Sequence, residues 1–389
     1  MKKVLVPSVR FKGFSEEWKE EKFGELLFRI NEKGYEFLET LTASKSGEML
    51  KRKSINYHIQ VAKESLKNYN RVLKNDFVLH LSTYESGLAY SKEIGITSPA
   101  YDVLRFFDKN NNDPIFFKYV FSNKKFINSL VPFTYGLRQG KSINLVELNK
   151  SLIEKTNISE QQKIGKLLDH ISNLIILEQL KLNKLKQLKQ TLLQKMFPEA
   201  NSKVPRIRFR GFDEEWKEEK LDDIFKVITG GEPPKNYKNS KHPVGKYKYP
   251  IYSNGQEANA IWGFSDNYSI NTEAITISSI GTIGFPVVRK MFFTPIIRLK
   301  TLLPYNKNMN INFLNLSVSQ INFSFNQAGI PSMNSNQLKD NIILISRNFY
   351  EQQKIGDFFC KIDTLLDLYN SKLNKLKQIK EALLQKMFV

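Results

Sequence analysis

The sequence predicts an α+β protein made of two similar halves, each a mixed domain of short strands followed by one long helix. Three observations lead to this prediction: two internal repeats, two long stretches with apolar residues at steps of three and four, and short β-branched or aromatic runs between them. The chain has 389 residues, of which 41% are hydrophobic, so it can bury a core in each of two or three domains.

Two pairs of repeated segments define the organisation. Pro7–Lys22 and Pro205–Lys220 agree at 12 of 16 positions, and Glu160–Phe197 agrees with Glu351–Phe388 at 23 of 38 positions. The first pair opens each half and the second pair closes it. This order indicates a duplicated frame.

The segments between the repeats, about 23–159 and 221–350, share almost no run of identity. Two constant frames therefore hold two different inserts. The landmarks predict a first domain at 1–158, a first long helix at 159–197, a linker at 198–204, a second domain at 205–349 and a second long helix at 350–389.

The closing segments are predicted to be helices because their apolar residues follow steps of four and three. A helix of 38 residues would extend about 57 Å, too long for one small domain, so its apolar stripe needs a partner. The nearest partner is the other copy. We expect the lysines between the stripe positions to form a solvated face. The predicted pairing residues are Ile171, Ile175, Leu182, Leu185 and Leu192 in the first copy, and Ile362, Leu366, Tyr369, Leu373, Leu376 and Leu383 in the second.

The inserts are predicted to contain short strands, because their apolar runs have the length and the β-branched or aromatic content typical of strands. A single cysteine, Cys360, follows Phe358 and Phe359 and is expected to be a small buried residue. The predicted strands are Asp76–Ser82, Ile94–Thr97, Tyr101–Phe107, Ala274–Ser279 and Phe292–Leu299.

The charge and the missing motifs limit the function. The formal net charge of +20 favours a polyanionic partner, with nucleic acid the first candidate, because each cation that neutralises a phosphate releases counterions. One cysteine, no N-terminal apolar segment and no membrane-length apolar run favour a reducing, cytoplasmic setting. The stretch Gly136–Ser142 resembles a P-loop but has three residues between its glycines where four are needed. No metal site and no catalytic site are predicted.

The repeated residues resemble those of the specificity subunit of type I restriction-modification enzymes. The resemblance rests on Phe11–Trp18 and Phe209–Trp216 at the opening of each half, on the sequence Glu-Gln-Gln-Lys-Ile-Gly at the start of each long helix, and on Leu-Leu-Gln-Lys-Met-Phe at its end. The stretch 330–346, which leads into the second helix, fits the same family, and the matching stretch in the first half is longer and more polar. The resemblance covers nearly the whole chain.

The resemblance implies a separate role for each part of this chain and for each other subunit of the complex. Each insert would be a target recognition domain that reads one half of a bipartite site in double-stranded DNA. The long helices would pair as an antiparallel coiled coil, related by a pseudo-twofold axis, which sets the spacer and docks two modification subunits. Those subunits would carry S-adenosylmethionine, and separate restriction subunits would carry ATP and Mg for translocation and cleavage. This chain would need no cofactor and catalyse nothing.

Two alternatives stay open at this point. A coiled-coil scaffold could tether two binding domains without DNA specificity, in which case the basic charge would be incidental. A self-contained restriction and methylation enzyme is the other alternative, although the glycine-rich loop and second proline of an amino-methyltransferase site are missing around Asp113–Phe116. The salt dependence of DNA binding would separate a reader from a scaffold.

Candidate DNA contacts are the turns that combine basic, amide, hydroxyl and aromatic side chains, since such groups contact phosphates and base edges. In the first half they are Lys45, Ser46, Lys51, Arg52, Lys53, Tyr84, Arg138, Gln139 and Lys141. In the second half they are Tyr237, Lys238, Tyr252, Ser253, Asn254, Gln256, Ser279, Thr282 and Arg289.

The linker adds a geometric expectation. Pro198–Val204 spans at most about 25 Å, so the first helix must end near the second domain. If the halves are related by a pseudo-twofold axis, the end of the second helix should lie equally near the start of the first domain.

Overall fold

The computed structural model describes the chain except residues 1–3, 56–61, 136–141, 200–201, 256–259, 307 and 328. The chain folds as two compact units. The first comprises Met1–Gln179 with Ser371–Val389, and the second comprises Leu180–Asn370. The long helices are Ile158–Met196 and Phe349–Lys386, each starting one residue before its predicted position. Each unit therefore contains the beginning of one long helix and the end of the other.

The first unit is built on a six-stranded sheet in the order 27–30, 102–106, 77–79, 89–91, 48–51 and 41–43. Its strands are Lys19–Lys22, Leu27–Ile30, Leu41–Ala43, Glu48–Lys51, Asn70–Val72, Phe77–Leu79, Ala89–Ser91, Gly95–Thr97, Asp102–Phe106, Thr134–Tyr135, Ser142–Ile143 and Leu152–Lys155. Its short helices are Phe23–Leu26, Thr83–Ser86, Pro114–Phe121, Lys124–Ser129 and Leu145–Leu148, with 3₁₀ turns at Arg52–Ser54, Lys63–Asn68 and Val131–Phe133.

The second unit has two four-stranded sheets instead of one larger sheet. One has the order 225–229, 300–304, 274–278, 284–289, and the other 237–238, 261–265, 249–252, 294–295. Its strands are Lys217–Lys220, Phe225–Thr229, Tyr237–Lys238, Tyr249–Tyr252, Ile261–Ser265, Ala274–Ser278, Gly284–Arg289, Thr294–Pro295, Lys300–Pro304 and Ile342–Ile345. Its short helices are Leu221–Ile224, Ile311–Val318 and Ser335–Lys339. The inserts thus differ in topology as well as in sequence.

The repeated opening segments form the same two-stranded ladder in both units. Lys19–Lys22 pairs antiparallel with Leu152–Lys155, and Lys217–Lys220 pairs antiparallel with Ile342–Ile345. In each case the partner strand lies just before the long helix. The ladder therefore closes each insert at its two ends, and the insert is free to vary between them.

A buried ion pair joins the opening segment to the start of the long helix in each unit. Arg10 donates two hydrogen bonds to Glu160, at 2.6 and 2.8 Å. Arg208 makes the same two bonds, at the same distances, to Glu351. Both carboxylates are fully buried. The repeated Arg and Glu are therefore structural partners, and bidentate pairs of this kind fix orientation as well as charge.

The glutamine that follows this glutamate in each copy joins the long helix to the N-cap of a short helix. Gln161 and Gln352 accept the backbone N–H groups of Asp113 and Asn310, which in turn cap the helices Pro114–Phe121 and Ile311–Val318. Four residues later, a Cβ at Gly165 would lie 2.8 Å from the backbone nitrogen of Phe116. Glycine is needed there because the two helices touch, and the equivalent Gly356 meets the Asn310 cap in the same way.

The two long helices run antiparallel within the first unit. Glu178 on the first helix pairs with Lys372 on the second at 2.9 Å. Tyr119 hydrogen-bonds to Ser172 on the first helix at 2.9 Å, and Lys380 on the second helix lies over its ring. Residue numbers therefore rise from 172 to 178 along the first helix while they fall from 380 to 372 along the second, so the two helices are antiparallel.

The helices also meet within the second unit. Leu185 and Leu192 pack into the same core as Ile362 and Leu366, and Lys189 forms an ion pair with Asp363. Each of the eleven predicted pairing residues is buried or half-buried. The predicted pairing of the copies is confirmed, and Glu178 and Lys189, which interrupt the apolar stripe, both have partners of opposite charge.

The contact expected from the linker length occurs in both units. The backbone N–H of Ile207 donates to the carbonyl of Lys195 at 2.8 Å, and the N–H of Val9 donates to that of Lys386 at 2.9 Å. Phe197 stacks on Phe313 in the second unit as Phe388 stacks on Phe116 in the first. The end of the second long helix therefore lies beside the start of the first domain, as predicted.

This repeated contact predicts a viable circular permutant. Residues 195 and 207 are joined by a short segment, whereas the equivalent residues near 9 and 386 are linked only through the rest of the chain, yet both sites have the same geometry. Opening the chain between Glu199 and Lys203, and joining Val389 to Met1 through a copy of 198–204, should therefore preserve both units. We expect the melting temperature to change by only a few degrees, measured by circular dichroism.

A control permutant opened inside a strand of the first sheet, between Val103 and Leu104, should fail to fold, because both residues are buried in a paired strand. Equal failure of both permutants would contradict the equivalence of the two contacts.

Two local expectations from the sequence are wrong. Phe292–Leu299 is not one strand: the strand is limited to Thr294–Pro295, with isolated bridges at Phe293 and Ile296. Phe292, Ile297 and Arg298 have positive φ angles, which interrupt the extended backbone. Cys360 is exposed, because the neighbouring Phe359 and Ile362 take the inward positions of the helix.

The helix lysines do not form a uniformly solvated face either. Lys372 is paired with Glu178, Lys189 with Asp363, and Lys380 is half-buried over Tyr119. Burial, reinforced by Lys118, lowers the pKa of Lys380.

Candidate nucleic-acid interface

In the first unit, a hairpin places two of the predicted contacts at its tip. Leu41–Ala43 and Glu48–Lys51 pair antiparallel, and the Ser44 hydroxyl donates to the Glu48 carbonyl at 2.8 Å to close the turn. Lys45 and Ser46 are exposed at the tip. A basic and a hydroxyl side chain therefore project together from a rigid turn.

The basic residues 51–53, which follow this hairpin, contact other side chains of the unit. Lys51 pairs with Glu93 at 3.5 Å, Lys53 pairs with Glu39 at 2.6 Å, and the Arg52 guanidinium lies 5.9 Å from the centre of the Tyr69 ring. The hydrogen bond from Lys53 lowers the pKa of Glu39. These three cations already have partners within the unit, so a phosphate would have to compete for them.

The turn that carries Tyr84 lies beside the hairpin. The backbone N–H of Tyr90 donates to the carbonyl of Gly47 in the hairpin, and a Cβ on Gly47 would lie 3.4 Å from the carbonyl oxygen of Ser86. Tyr84 is half-buried and packs on the core. The turn that carries Tyr84 and the hairpin that carries Lys45 and Ser46 are therefore neighbours, although they are about 40 residues apart in sequence.

His80 stabilises the turn 83–86 through its backbone and its ring. Its backbone N–H donates to the Thr83 hydroxyl at 2.7 Å, and its ring nitrogens lie 3.3 and 3.4 Å from the Ser82 amide and the Ser86 hydroxyl. Burial lowers the pKa of His80 to about 4, so the ring is neutral near pH 7. It acts as a hydrogen-bonding support for the turn.

In the second unit, two of the predicted contacts are interior. Arg289 is 5% exposed, donates to the Thr276 hydroxyl at 2.9 Å and lies 4.0 Å from the centre of the Tyr252 ring. Ser279 is 1% exposed and donates to the carbonyl of Arg298. The prediction of surface contacts at Arg289 and Ser279 is corrected by this burial: both side chains brace the loops around them.

Asn254 ties three loops together. Its side-chain oxygen accepts the backbone N–H of Ser279 at 2.8 Å, and its side-chain nitrogen donates to the carbonyl of Ile297 at 2.5 Å. The neighbouring Ser253 is half-buried and bonds through its backbone to Ala260. Asn254 therefore uses both ends of its side-chain amide to hold the fold.

The other predicted contacts of this unit include two exposed residues on an edge strand. Tyr237 and Lys238 are exposed on an edge strand, with Tyr237 against Trp262 and Lys238 over Tyr247. Thr282 is half-buried in the turn between Ala274–Ser278 and Gly284–Arg289. This edge joins a cation to aromatic faces, the combination on which nucleic-acid bases and phosphates are held.

Arg138, Gln139, Lys141 and Gln256 lie outside the described residues. Their contacts with DNA stay predictions. In the part of the chain that the structure describes, no group of three or more His, Cys, Asp or Glu side chains is placed to hold a metal ion.

One polar group in the second unit, around Lys300, was not predicted from the sequence. Lys300 is buried, and its ammonium donates to the hydroxyls of Thr229 and Ser335 at 3.0 and 2.9 Å. Arg298 is exposed beside it. The available signal was the position of Lys300 between Leu299 and Leu302, because burying a charged side chain among apolar residues is unfavourable unless it has polar partners.

The second half of the chain matches a known protein family. Residues 213–378 match the family model described as the type I restriction modification DNA specificity domain. This match runs from the opening segment of the second half, through its whole insert, into the second long helix. Over these residues the chain is similar to the DNA specificity domain of type I restriction-modification systems.

A protein from Mycoplasma pneumoniae (strain ATCC 29342 / M129), named as a type I specificity subunit, is 34% identical to this chain over 144 residues. That alignment covers 37% of this chain and 39% of the relative, so it spans about two fifths of the relative's length.

Two solved structures have a similar fold. The S subunit of a type I restriction-modification system from M. genitalium has a TM-score of 0.64 at 18% identity, over 99% of both chains. A structure concerning complex assembly and conformational transition of a type I restriction-modification system has a TM-score of 0.50 at 14% identity, over 95% of this chain and 97% of the other. The specificity-subunit fold thus extends over both units. Among the described residues, no helix is both long enough and apolar enough to cross a membrane.

Proposed function

We propose that this chain is the DNA sequence-specificity subunit of a type I restriction-modification complex, and that each unit reads one half of a bipartite target in double-stranded DNA. One observation carries the proposal: the same frame, with the same ladder and ion pair, holds two inserts with different sheets. A reader of two unlike half-sites needs this combination of a constant support and variable surfaces.

The charge of the chain supports DNA as the ligand. The excess of 20 positive charges suits binding to a phosphate backbone, and the exposed groups at Lys45 and Ser46 and at Tyr237 and Lys238 are of the types that contact phosphates and bases. These surfaces lie on the inserts, where a change of sequence would alter recognition without disturbing the frame.

The repeated frame supports a role in assembly. Surfaces that are the same in both units suit two copies of one partner, and we propose that two modification subunits dock there, with restriction subunits joining the complex through them. A solved structure that concerns complex assembly of a type I restriction-modification system contains a chain of similar fold. In this proposal S-adenosylmethionine binds the modification subunit, ATP and Mg serve the restriction subunit, and this chain itself catalyses nothing and acts in the cytoplasm.

Duplicating one insert provides a direct test. Residues 23–151 are replaced by a copy of residues 221–341, so that both frames carry the second insert between their conserved ladders. Co-expressed with its modification subunit, the wild-type chain should direct adenine methylation to a bipartite site with two different halves. The duplicated chain should direct it to a site in which the second half-site occurs twice.

Mapping methylated adenines in genomic DNA measures both targets. The purified chain with S-adenosylmethionine alone is the control, and it should transfer no methyl group. An unchanged target in the duplicated chain would refute the assignment of recognition to the inserts, and methylation by the isolated chain would refute its non-catalytic role.

A further inference from the structure

Lys300 differs from the other fully buried lysine in the described part of the chain. Lys118 lies between two carboxylates, Glu48 at 2.7 Å and Asp169 at 3.2 Å. Lys300 is 4% exposed, and within the described residues it has hydroxyl partners only, Thr229 and Ser335. Because a buried ammonium without a counterion is unfavourable, its retention points to an anion that is supplied from outside.

A cavity of about 280 Å³ adjoins this ammonium. Its described lining contains two cations, several hydroxyl and amide side chains, and no carboxylate. Arg298 and Asn334 are exposed, so the cavity meets the surface beside them. The residues that matter here are Arg298, Lys300, Ser332, Asn334 and Ser335. An ammonium has three N–H donors, and the two hydroxyls account for two of Lys300's.

The loop that carries Arg298 is held in a conformation that costs energy. Ile297 and Arg298 have φ angles of 52° and 59°, although neither is glycine. Their N–H groups donate to Gly231 and Gly230 at 2.8 and 2.9 Å, and their carbonyls accept from Asn254 and Ser279. Four hydrogen bonds thus fix two strained residues, and strain maintained in this way is concentrated at binding sites.

The two cations also act on each other. Burial, with the positive charge of Arg298, lowers the pKa of Lys300. Both cations would be stabilised by one anion placed between them, since opposite charge within a few ångströms favours the charged form.

We propose that this cavity is a phosphate-binding site, in which Lys300 and Arg298 hold one phosphate group, with Ser335 as a further hydrogen-bonding group. The inference rests on the proposed function for its ligand, a backbone phosphate of the DNA read by the second unit. Such a contact fixes the position of the DNA on the insert and carries no sequence information of its own. The nearby Asn254 network then orients the reading surface with respect to this anchor.

Lys300→Met in the full chain with its modification subunit tests the proposal. Each lost phosphate contact should reduce the slope of log affinity against log salt by about 0.9. The ratio of affinities at 50 and 200 mM salt should therefore shrink by about 3.5-fold. The loss should be equal on DNA with and without the target sequence. Arg298→Gln is a second variant that alters an exposed side chain, so its result does not depend on repacking a buried position.

Lys226→Met is the matched control, because Lys226 is an exposed lysine on the strand paired with that of Lys300, three residues from Thr229. It should leave the slope within error of wild type. The melting temperature of Lys300→Met should be equal to or above that of the wild type, since the change removes a desolvated charge. A purely structural lysine would instead give a lower melting temperature and an unchanged salt slope, and this result would overturn the proposal.

Inorganic phosphate separates the two possible sources of the ligand. At equal ionic strength, potassium phosphate should raise the melting temperature of the wild type above its value in potassium chloride, and this difference should disappear in Lys300→Met. Stabilisation by phosphate in a chain that does not bind DNA would assign the site to a free phosphate group and reject the proposed function alone. Specific DNA binding with no effect of either variant, and no effect of phosphate, would reject the site alone.

Discussion

Arg208→Met is expected to destabilise the second unit by about 3–5 kcal/mol, the range measured when one partner of a buried ion pair is removed. The two hydrogen bonds from Arg208, at 2.6 and 2.8 Å, are made to a carboxylate of Glu351 with no exposed side-chain surface. Without the guanidinium this carboxylate stays buried at the start of the long helix with its main counter-charge missing.

The same chain provides a matched control two residues away. Arg206 pairs with Glu199 at a similar distance, 2.7 Å, but the side chains are 68% and 49% exposed. Arg206→Met should therefore cost less than about 1 kcal/mol. The double variant Arg208→Met with Glu351→Met should recover most of the loss, because an apolar pair can replace a buried ion pair at little cost.

Hydrogen exchange in denaturant, followed separately for peptides of each unit, measures the free energy of unfolding. Arg10→Met should weaken the first unit by a similar amount, since Arg10 and Glu160 repeat the geometry. Equal effects of Arg206→Met and Arg208→Met would show that burial does not decide the strength of this contact.

The frame could be predicted from the sequence because its segments occur twice in the chain, so the two copies can be compared with each other. Residues that persisted in both copies, such as the Arg, Glu and Gly of the frame, each have a packing reason that is the same in both units. The long helices began within one residue of their predicted positions because apolar spacing over 38 residues averages out local exceptions.

The inserts could not be predicted in the same detail. Their sheets depend on pairings between distant segments, and neither insert repeats the other. Arg289 and Ser279 are of residue types that are usually exposed, yet contacts with Tyr252 and Asn254, 25 or more positions away, make them interior. Lys300 was not predicted because the predicted strand ended at Leu299, and the hydroxyls that accept its hydrogen bonds come from two distant segments.

Replacing Leu373 and Leu376 together by Asp is expected to detach the end of the second long helix from the first unit. Leu373 is 4% exposed and Leu376 is half-buried, on the turn that follows the pair between Lys372 and Glu178. A fully buried Leu contributes roughly 1.5–3 kcal/mol, so the loss of Leu373 alone removes about this much. The half-buried Leu376 contributes less, and the cost of burying charge is added to both.

Asn374→Asp with Gln378→Asp is the matched control, because it adds the same two negative charges to exposed positions of the same helix. That variant should keep the helix content and the protease resistance of the wild type. In the Leu variant, limited proteolysis should cleave within 371–389, and the contacts of Lys386 with Val9 and of Phe388 with Trp18 should be lost together, because one helix end makes both. Equal protease resistance in the two variants would mean that the apolar stripe, which both copies of the sequence repeat, does not hold the helices together.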